Sequence, residues 1–247
     1  MFPAPSVCPV LAAPFIGSFL GVIVTRSESP RSILWGRSAC PDCSHRLEPR
    51  DLVPILSWLV SGGRCRHCGQ SVSPFYPAIE LAALAVAVWS TAVASGWLII
   101  ASSLLGWLLL ALALIDLRSF LLPDFLTLPL LGSGLLVAQA LDSSTTLPHV
   151  LGAAIGFLAI VTIRQVYWML RGREGIGLGD AKLMAAAGAW VSWEGLPSVL
   201  LVATLGALTS TLLQHYRRAT IRATDRVAFG AFLCVGIWLV WLYGPLV

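Results

Sequence analysis

The sequence predicts an all-α polytopic membrane protein, with about eight transmembrane helices and one small extramembrane domain between the first and the second. Three observations predict it. Of 247 residues, 57% are hydrophobic and only 11% charged, with a mean hydropathy of +0.83, where a soluble domain carries roughly a quarter charged residues. The apolar residues gather into runs parted by short polar or turn-rich breaks. Ten Trp and 22 Gly suit membrane helices, which favour glycine inside the bilayer and tryptophan at its interfaces. A net charge of +4 would point to nucleic acid in a soluble chain. Here the basic residues act as topology determinants, and no nucleic-acid partner is implied.

Taken in order, the runs place spans at about 8–25, 77–94, 97–115, 122–141, 148–170, 181–193, 196–214 and 228–246. The first is retained: no basic residue precedes Arg26, so the charged start of a signal peptide is missing. The sixth is short for a span, which predicts a segment that is tilted, broken or packed inside the bundle. The chain thus divides into a first helix (1–25), an extramembrane domain (26–76) and a membrane domain of seven helices (77–247).

The basic residues orient these spans. Arg26, Arg31, Arg37, Arg46, Arg50, Arg64 and Arg66 lie between the first two. Arg118 follows the third. Arg164, Arg171, Arg173 and Lys182 lie around the fifth and sixth, and Arg217, Arg218, Arg222 and Arg226 precede the eighth. The opposite connections, near Ser95-Gly96, Asp142–Pro148 and Glu194–Pro197, contain none. By the positive-inside rule both chain ends face out and the basic connections, with the 26–76 domain, face the cytoplasm.

That domain carries Cys40-Pro41-Asp42-Cys43 and Cys65-Arg66-His67-Cys68. Two CxxC turns supply four thiolates, the ligand count of a closed tetrahedral zinc site, and a cytoplasmic location disfavours structural disulfides. A redox pair or paired disulfides are the rival readings. Zinc would staple a domain too small for its own core. Four sulfurs leave His45 and His67 as solvated loop residues. Cys8 and Cys234 stand alone in apolar runs and read as small buried side chains.

Acids at membrane boundaries are functional-site candidates. Asp180 closes Gly175-Ile176-Gly177-Leu178-Gly179-Asp180 and opens an apolar stretch, and Asp116 ends another. Topological parity puts both on the cytoplasmic side. Two such carboxylates brought together share one proton and activate a water, the arrangement of an aspartyl protease. The plain alternatives are a flexible loop for the glycine run and, for Asp124 after Pro123, an N-cap of the fourth span. Glu80 is a third boundary acid, a candidate for cofactor or substrate binding or for a hydrogen-bonded structural role. Arg118 and Lys182 stand near the pair, as modulators or as simple anchors. An ion- or proton-coupled transporter, or a zinc-stapled scaffold, would use the same acids differently.

These features in this order resemble the prepilin peptidases, or type IV leader peptidases, a family of GxGD intramembrane aspartyl proteases. The resemblance rests on Gly17-Ser18-Phe19-Leu20, the two CxxC turns, the linker from Arg50 to Leu59, and Tyr76-Pro77-Ala78-Ile79-Glu80-Leu81. It continues through Ile115-Asp116, Leu122-Pro123-Asp124, Leu126 to Leu130 and the Gly-x-Gly-Asp run. It implies a bifunctional enzyme of the bacterial inner membrane. Such an enzyme removes the basic leader of type IV prepilins or type II secretion pseudopilins, then N-methylates the new N-terminus with S-adenosylmethionine. It assigns catalysis to Asp116 and Asp180, and the knuckles to Cys40, Cys43, Cys65 and Cys68. Two departures stand out. Gly21 replaces the family's asparagine, creating Gly17-x-x-x-Gly21, which predicts a close helix approach. Ala228-Phe229-Gly230-Ala231 stands where the family has Pro-Phe-Gly-Pro. Neither departure is expected to touch the two aspartates.

Overall fold

Apolar runs bounded by Gly, Pro and polar residues become helices, because a backbone in lipid must satisfy its own hydrogen bonds. The computed structural model describes residues 4–27, 38–141, 146–172, 175–218 and 227–246. The basic positions Arg31, Arg37, Arg173, Arg222 and Arg226, and the 142–145 part of one predicted connection, lie outside them. The helices are α1 (Ala4–Arg26), α2 (Leu56–Val60), α3 (Phe75–Val93), α4 (Leu98–Ser119), α5 (Asp124–Leu141), α6 (Thr146–Arg171), α7 (Leu178–Arg218) and α8 (Phe229–Tyr243), with a 3₁₀ turn at Pro49–Asp51. No strand occurs among the described residues, only isolated bridges at Ala39–Arg46 and Arg64–Ser71.

Among the described residues, six helices are long and apolar enough to cross a membrane, namely α1 and α3 to α7, and α8 is a shorter apolar helix. The expected sixth and seventh spans are both found in α7. A straight helix of its 41 residues would run about 60 Å, twice a bilayer core. It is broken instead at Ser192, where φ 58 and ψ −176 leave the helical region. The turn expected at Glu194–Pro197 is replaced by this break, with the Ser192 hydroxyl accepting the Glu194 N–H at 3.3 Å. Counting the two arms of α7 separately restores eight apolar helical segments.

The chain forms two compact units, Met1–Ala111 and Leu112–Val247. In the first, α1 packs on α3. A Cβ at Gly17 would lie 2.6 Å from the Glu80 Cα, so glycine is what lets the backbones meet, while Gly21 leaves ordinary room beside Tyr76 and Ile79. Trp107 donates its Nε1–H to the Ala83 carbonyl at 3.0 Å. Cys8 does not meet the burial expected of it. It is exposed on α1, because an apolar face of a membrane helix can meet lipid and need not meet protein.

In the second unit, the first arm of α7 is the core. Ala181, Leu183, Met184, Ala186, Ala187, Ala189 and Trp190 are at most 1% exposed. The short sixth run is therefore a packed one. Its small residues admit α6: a Cβ on Gly188 would fall 2.1 Å from the Gly152 backbone, and one on Gly156 would fall 2.5 Å from the Met184 carbonyl. On the α5 side, Trp190 donates its Nε1–H to the Leu130 carbonyl at 2.8 Å.

Candidate active site and metal centre

Asp116 stands in the last turn of α4 and is 5% exposed. The helix ends beyond it with Phe120 at φ 55, whose N–H returns to the Asp116 carbonyl at 2.9 Å. Its carboxylate is met by the start of α8. The Ala231 N–H, 115 residues away, donates to Asp116 Oδ2 at 2.9 Å, and the Gly230 N–H donates to the same carboxyl. These amides lie in the first turn of α8, where backbone N–H groups lack intrahelical acceptors and the helix end favours negative charge. The expectation that the 228–231 departure stays clear of the aspartates is therefore wrong. A span boundary shows where a helix starts but not which side chain its free amides face.

Asp180 sits in the first turn of α7, half-buried, and its Oδ2 accepts the Gly177 N–H at 3.3 Å. Asp116 and Asp180 are within electrostatic reach of one another, and both act on the buried Cys234 thiol. Leu122 stands between their supports. A Cβ at Gly179 would lie 3.0 Å from the Leu122 Cβ, and one at Gly230 would lie 2.9 Å from Leu122 Cδ1 and 2.9 Å from Asp116 Oδ2. Gly177 and Gly179 are not among the glycines with positive φ. Two glycines of the run matter through crowding instead: Gly179 meets Leu122, and Gly175 lies against the Tyr167 ring.

The rival acid, Asp124, is exposed and paired. Lys182 Nζ donates to its Oδ1 at 2.6 Å and to its Oδ2 at 2.8 Å. Asp124 opens α5 as its first residue, and this ion pair, rather than an N-cap bond, occupies its carboxylate. Lys182 is thereby engaged away from Asp180.

In the first unit the cysteines form two turns of the same build. Ser44 N–H returns to the Cys40 carbonyl at 2.9 Å and Gly69 N–H to the Cys65 carbonyl at 2.9 Å, with Ser44 at φ 56 and Gly69 at φ 73. The four Sγ atoms lie within 4.8 Å of one another, and Cys40 and Cys68 are 3.9 Å apart. Four sulfurs about 2.3 Å from a tetrahedral zinc would stand about 3.8 Å apart, so the residues fit the ion. None of the four is in a disulfide. The Cys68 and His67 N–H groups pull the Cys65 thiol down to about 7. Although the Gln70 N–H favours its thiolate, loss of water and the surrounding sulfurs push Cys68 up to about 12. His45 and His67, both exposed, stack on each other at 4.2 Å.

Beside the knuckles lies a cavity of about 440 Å³ whose walls include Cys40, Cys65, Trp58, Tyr76, Ser18 and Glu80. Glu80 is 6% exposed. Its Oε2 accepts the Ile55 N–H at 2.7 Å, and the Ser18 hydroxyl bonds to the same carboxyl. Ile55 adopts φ 62 and ψ −54, a conformation that a β-branched residue avoids and that costs on the order of 1–3 kcal/mol. No sequence signal marks Ile55; only the geometry reveals it.

A buried Asp116 and a half-buried Asp180 within electrostatic reach of one another, with a four-cysteine cluster elsewhere in the chain, are the candidate site of an all-helical polytopic membrane protein. Residues 11–94 match the bacterial peptidase A24 N-terminal domain, and residues 103–212 match the type IV leader peptidase family. A prepilin leader peptidase/N-methyltransferase of Aeromonas hydrophila is 38% identical over 93% of this chain and 87% of its own length. Proteins of the same name from Dickeya chrysanthemi and Pseudomonas aeruginosa are 41% identical (87% of this chain, 76% of theirs) and 33% identical (96% and 90%). No solved structure matches. The chain belongs to the type IV leader peptidase family.

Proposed function

We propose that this chain is a membrane aspartyl endopeptidase that removes the basic leader from type IV prepilins or type II secretion pseudopilins, and that it N-methylates the new N-terminus. The names of its relatives support both activities, and family membership argues against the transporter reading. The single observation that supports the peptidase reading is that Asp116 and Asp180, from two helices of one compact unit, lie within electrostatic reach of one another.

Asp116, accepting main-chain N–H bonds at the start of α8, is the member suited to take a proton from the attacking water. Asp180, with its one long bond from Gly177, is the member suited to carry the shared proton to the carbonyl oxygen. The active site opens to the cytoplasm, in keeping with the positive-inside pattern. There a substrate with a basic leader before an apolar helix presents its scissile bond. Zinc held by Cys40, Cys43, Cys65 and Cys68 is structural, since four sulfurs leave no open position. S-adenosylmethionine supplies the methyl group when bound. The domain division at 26 and 76 follows the same topology. The test is leader removal from a co-expressed prepilin, which Asp116→Asn or Asp180→Asn abolishes while the protein remains in the membrane.

A further inference from the structure

We infer that the cavity beside the cysteine knuckles is the methyl-transfer site and that Glu80 is the carboxylate that receives the substrate's free amine there. The inference deepens the methyltransferase half of the proposed function and rests on it. Three observations converge on Glu80. It is a nearly fully buried acid on the wall of a cavity of about 440 Å³, within the range of small-molecule sites. Its Oε2 is held by the Ile55 N–H at 2.7 Å, which fixes the carboxylate on the cavity wall. Ile55 makes that bond from a strained tight turn, φ 62 and ψ −54, closed by the Leu56 N–H on the Pro54 carbonyl at 2.6 Å, and such outliers cluster where a group must be aimed.

The wall also carries Arg26, Arg50, Arg64 and Arg66, of which Arg50 and Arg66 are paired with Glu48 and Asp51. Trp58 lines the cavity with its Nε1–H fixed to the Val72 carbonyl at 3.1 Å. Gly63 lies against its ring, where a Cβ would come within 2.9 Å. A locked indole on the wall of the same cavity offers a face to a sulfonium or a purine, through cation–π attraction and stacking. Among the described residues, the partners shown for Glu80 are the Ile55 amide and the Ser18 hydroxyl.

The step balances as follows. An N-terminal ammonium gives one proton to the Glu80 carboxylate, freeing its lone pair. The nitrogen–carbon bond forms as the carbon–sulfur bond breaks, and the sulfonium leaves as a neutral thioether carrying the bonding electrons. Glu80 binds the amine in its charged form and takes up the proton that makes it a nucleophile.

The experiment uses the full chain in detergent and two peptides with the sequence of a mature pilin N-terminus, one with a free amine and one N-acetylated. Peptide binding is read by fluorescence anisotropy, S-adenosylhomocysteine binding by calorimetry, methyl transfer by mass spectrometry and leader cleavage separately. Wild-type protein is expected to bind the free-amine peptide at least ~10-fold more tightly than the acetylated one, the scale of a charge-assisted bond. Glu80→Gln, whose amide oxygen can still accept from Ile55, abolishes that preference and lowers methyl transfer ~100-fold or more. It leaves S-adenosylhomocysteine affinity and leader cleavage within about threefold, which also reports that the variant is folded. Glu80→Asp keeps the charge but withdraws it, and retains a reduced amine preference. An amine preference unchanged in Glu80→Gln overturns the assignment, whatever the methylation rate. A wild-type chain that prefers the amine but never methylates refutes the methyltransferase reading and keeps Glu80 as an amine site.

Discussion

Gly230→Ala tests the reading of Asp116 with little disturbance elsewhere. A Cβ at 230 would stand 2.9 Å from Asp116 Oδ2 and 2.9 Å from Leu122 Cδ1. Both are ends of side chains, so the strain is relieved by moving them, and the helix gains the better propensity of alanine. Ordinary contact requires the carboxylate to retreat by about half an ångström, which stretches the 2.9 Å bond from Ala231 to the edge of hydrogen-bonding range. A hydrogen bond to a charged group contributes about 1.5–3 kcal/mol, so its loss alone predicts a fall of roughly 10- to 150-fold in kcat/KM for cleavage. Misplacement of a reacting group by a fraction of an ångström adds to it. The assay is cleavage of a prepilin by purified protein, alongside thermal unfolding in detergent, which should change by no more than a few degrees. Ala231→Gly keeps the N–H and serves as the control. Cleavage by Gly230→Ala within threefold of wild type, with a normal melting temperature, would refute the idea that the α8 amides aim Asp116.

Asp116→Asn and Asp180→Asn should each reduce cleavage below detection, whereas Asp124→Asn should keep substantial activity, since its exposed pair with Lys182 contributes about 0–1 kcal/mol; the same cleavage assay ranks the three. Elemental analysis of purified protein should find one zinc per chain, and Cys43→Ser should lower that ratio while Cys8→Ser leaves it unchanged. Gly188→Ala drives a Cβ into the Gly152 backbone and should destabilise by ~3 kcal/mol or more. Gly132→Ala, with nothing within 4 Å, should stabilise by about 0.5–1 kcal/mol. Paired melting curves in detergent separate these two.

Much of the fold was legible because lipid imposes long apolar helices, and the Gly17 contact was legible because a small residue on such a helix has few other uses. The four cysteines were legible from spacing alone, since a CxxC turn brings two sulfurs together by local geometry. What the sequence hid has a common cause. The break at Ser192, the strained turn at Ile55 and the bonds from Gly230 and Ala231 are all main-chain events, and main-chain groups are the same in every residue. A pattern of side chains reports burial and charge, but not which carbonyl or amide a distant carboxylate will meet.

Asp116 and Asp124 make the point in one stretch of chain. Each is an acid at a helix end beside an apolar run, and eight positions separate them. Asp124 is exposed and neutralised by the Lys182 side chain. Asp116 is buried and met by amides. A lysine partner quenches a carboxylate with a full charge, whereas main-chain N–H groups hold it in place and leave its charge available for chemistry. On the proposed reading, the amide at the start of α8 is what sets Asp116 apart from Asp124. It also gives the 228–231 departure a physical meaning. Proline, the family's residue at 231, has no N–H to donate, so the Ala231 bond is a donor this chain has beyond that pattern. The Gly230 amide is the donor that both versions retain, and its glycine is the residue whose Cβ would displace Asp116.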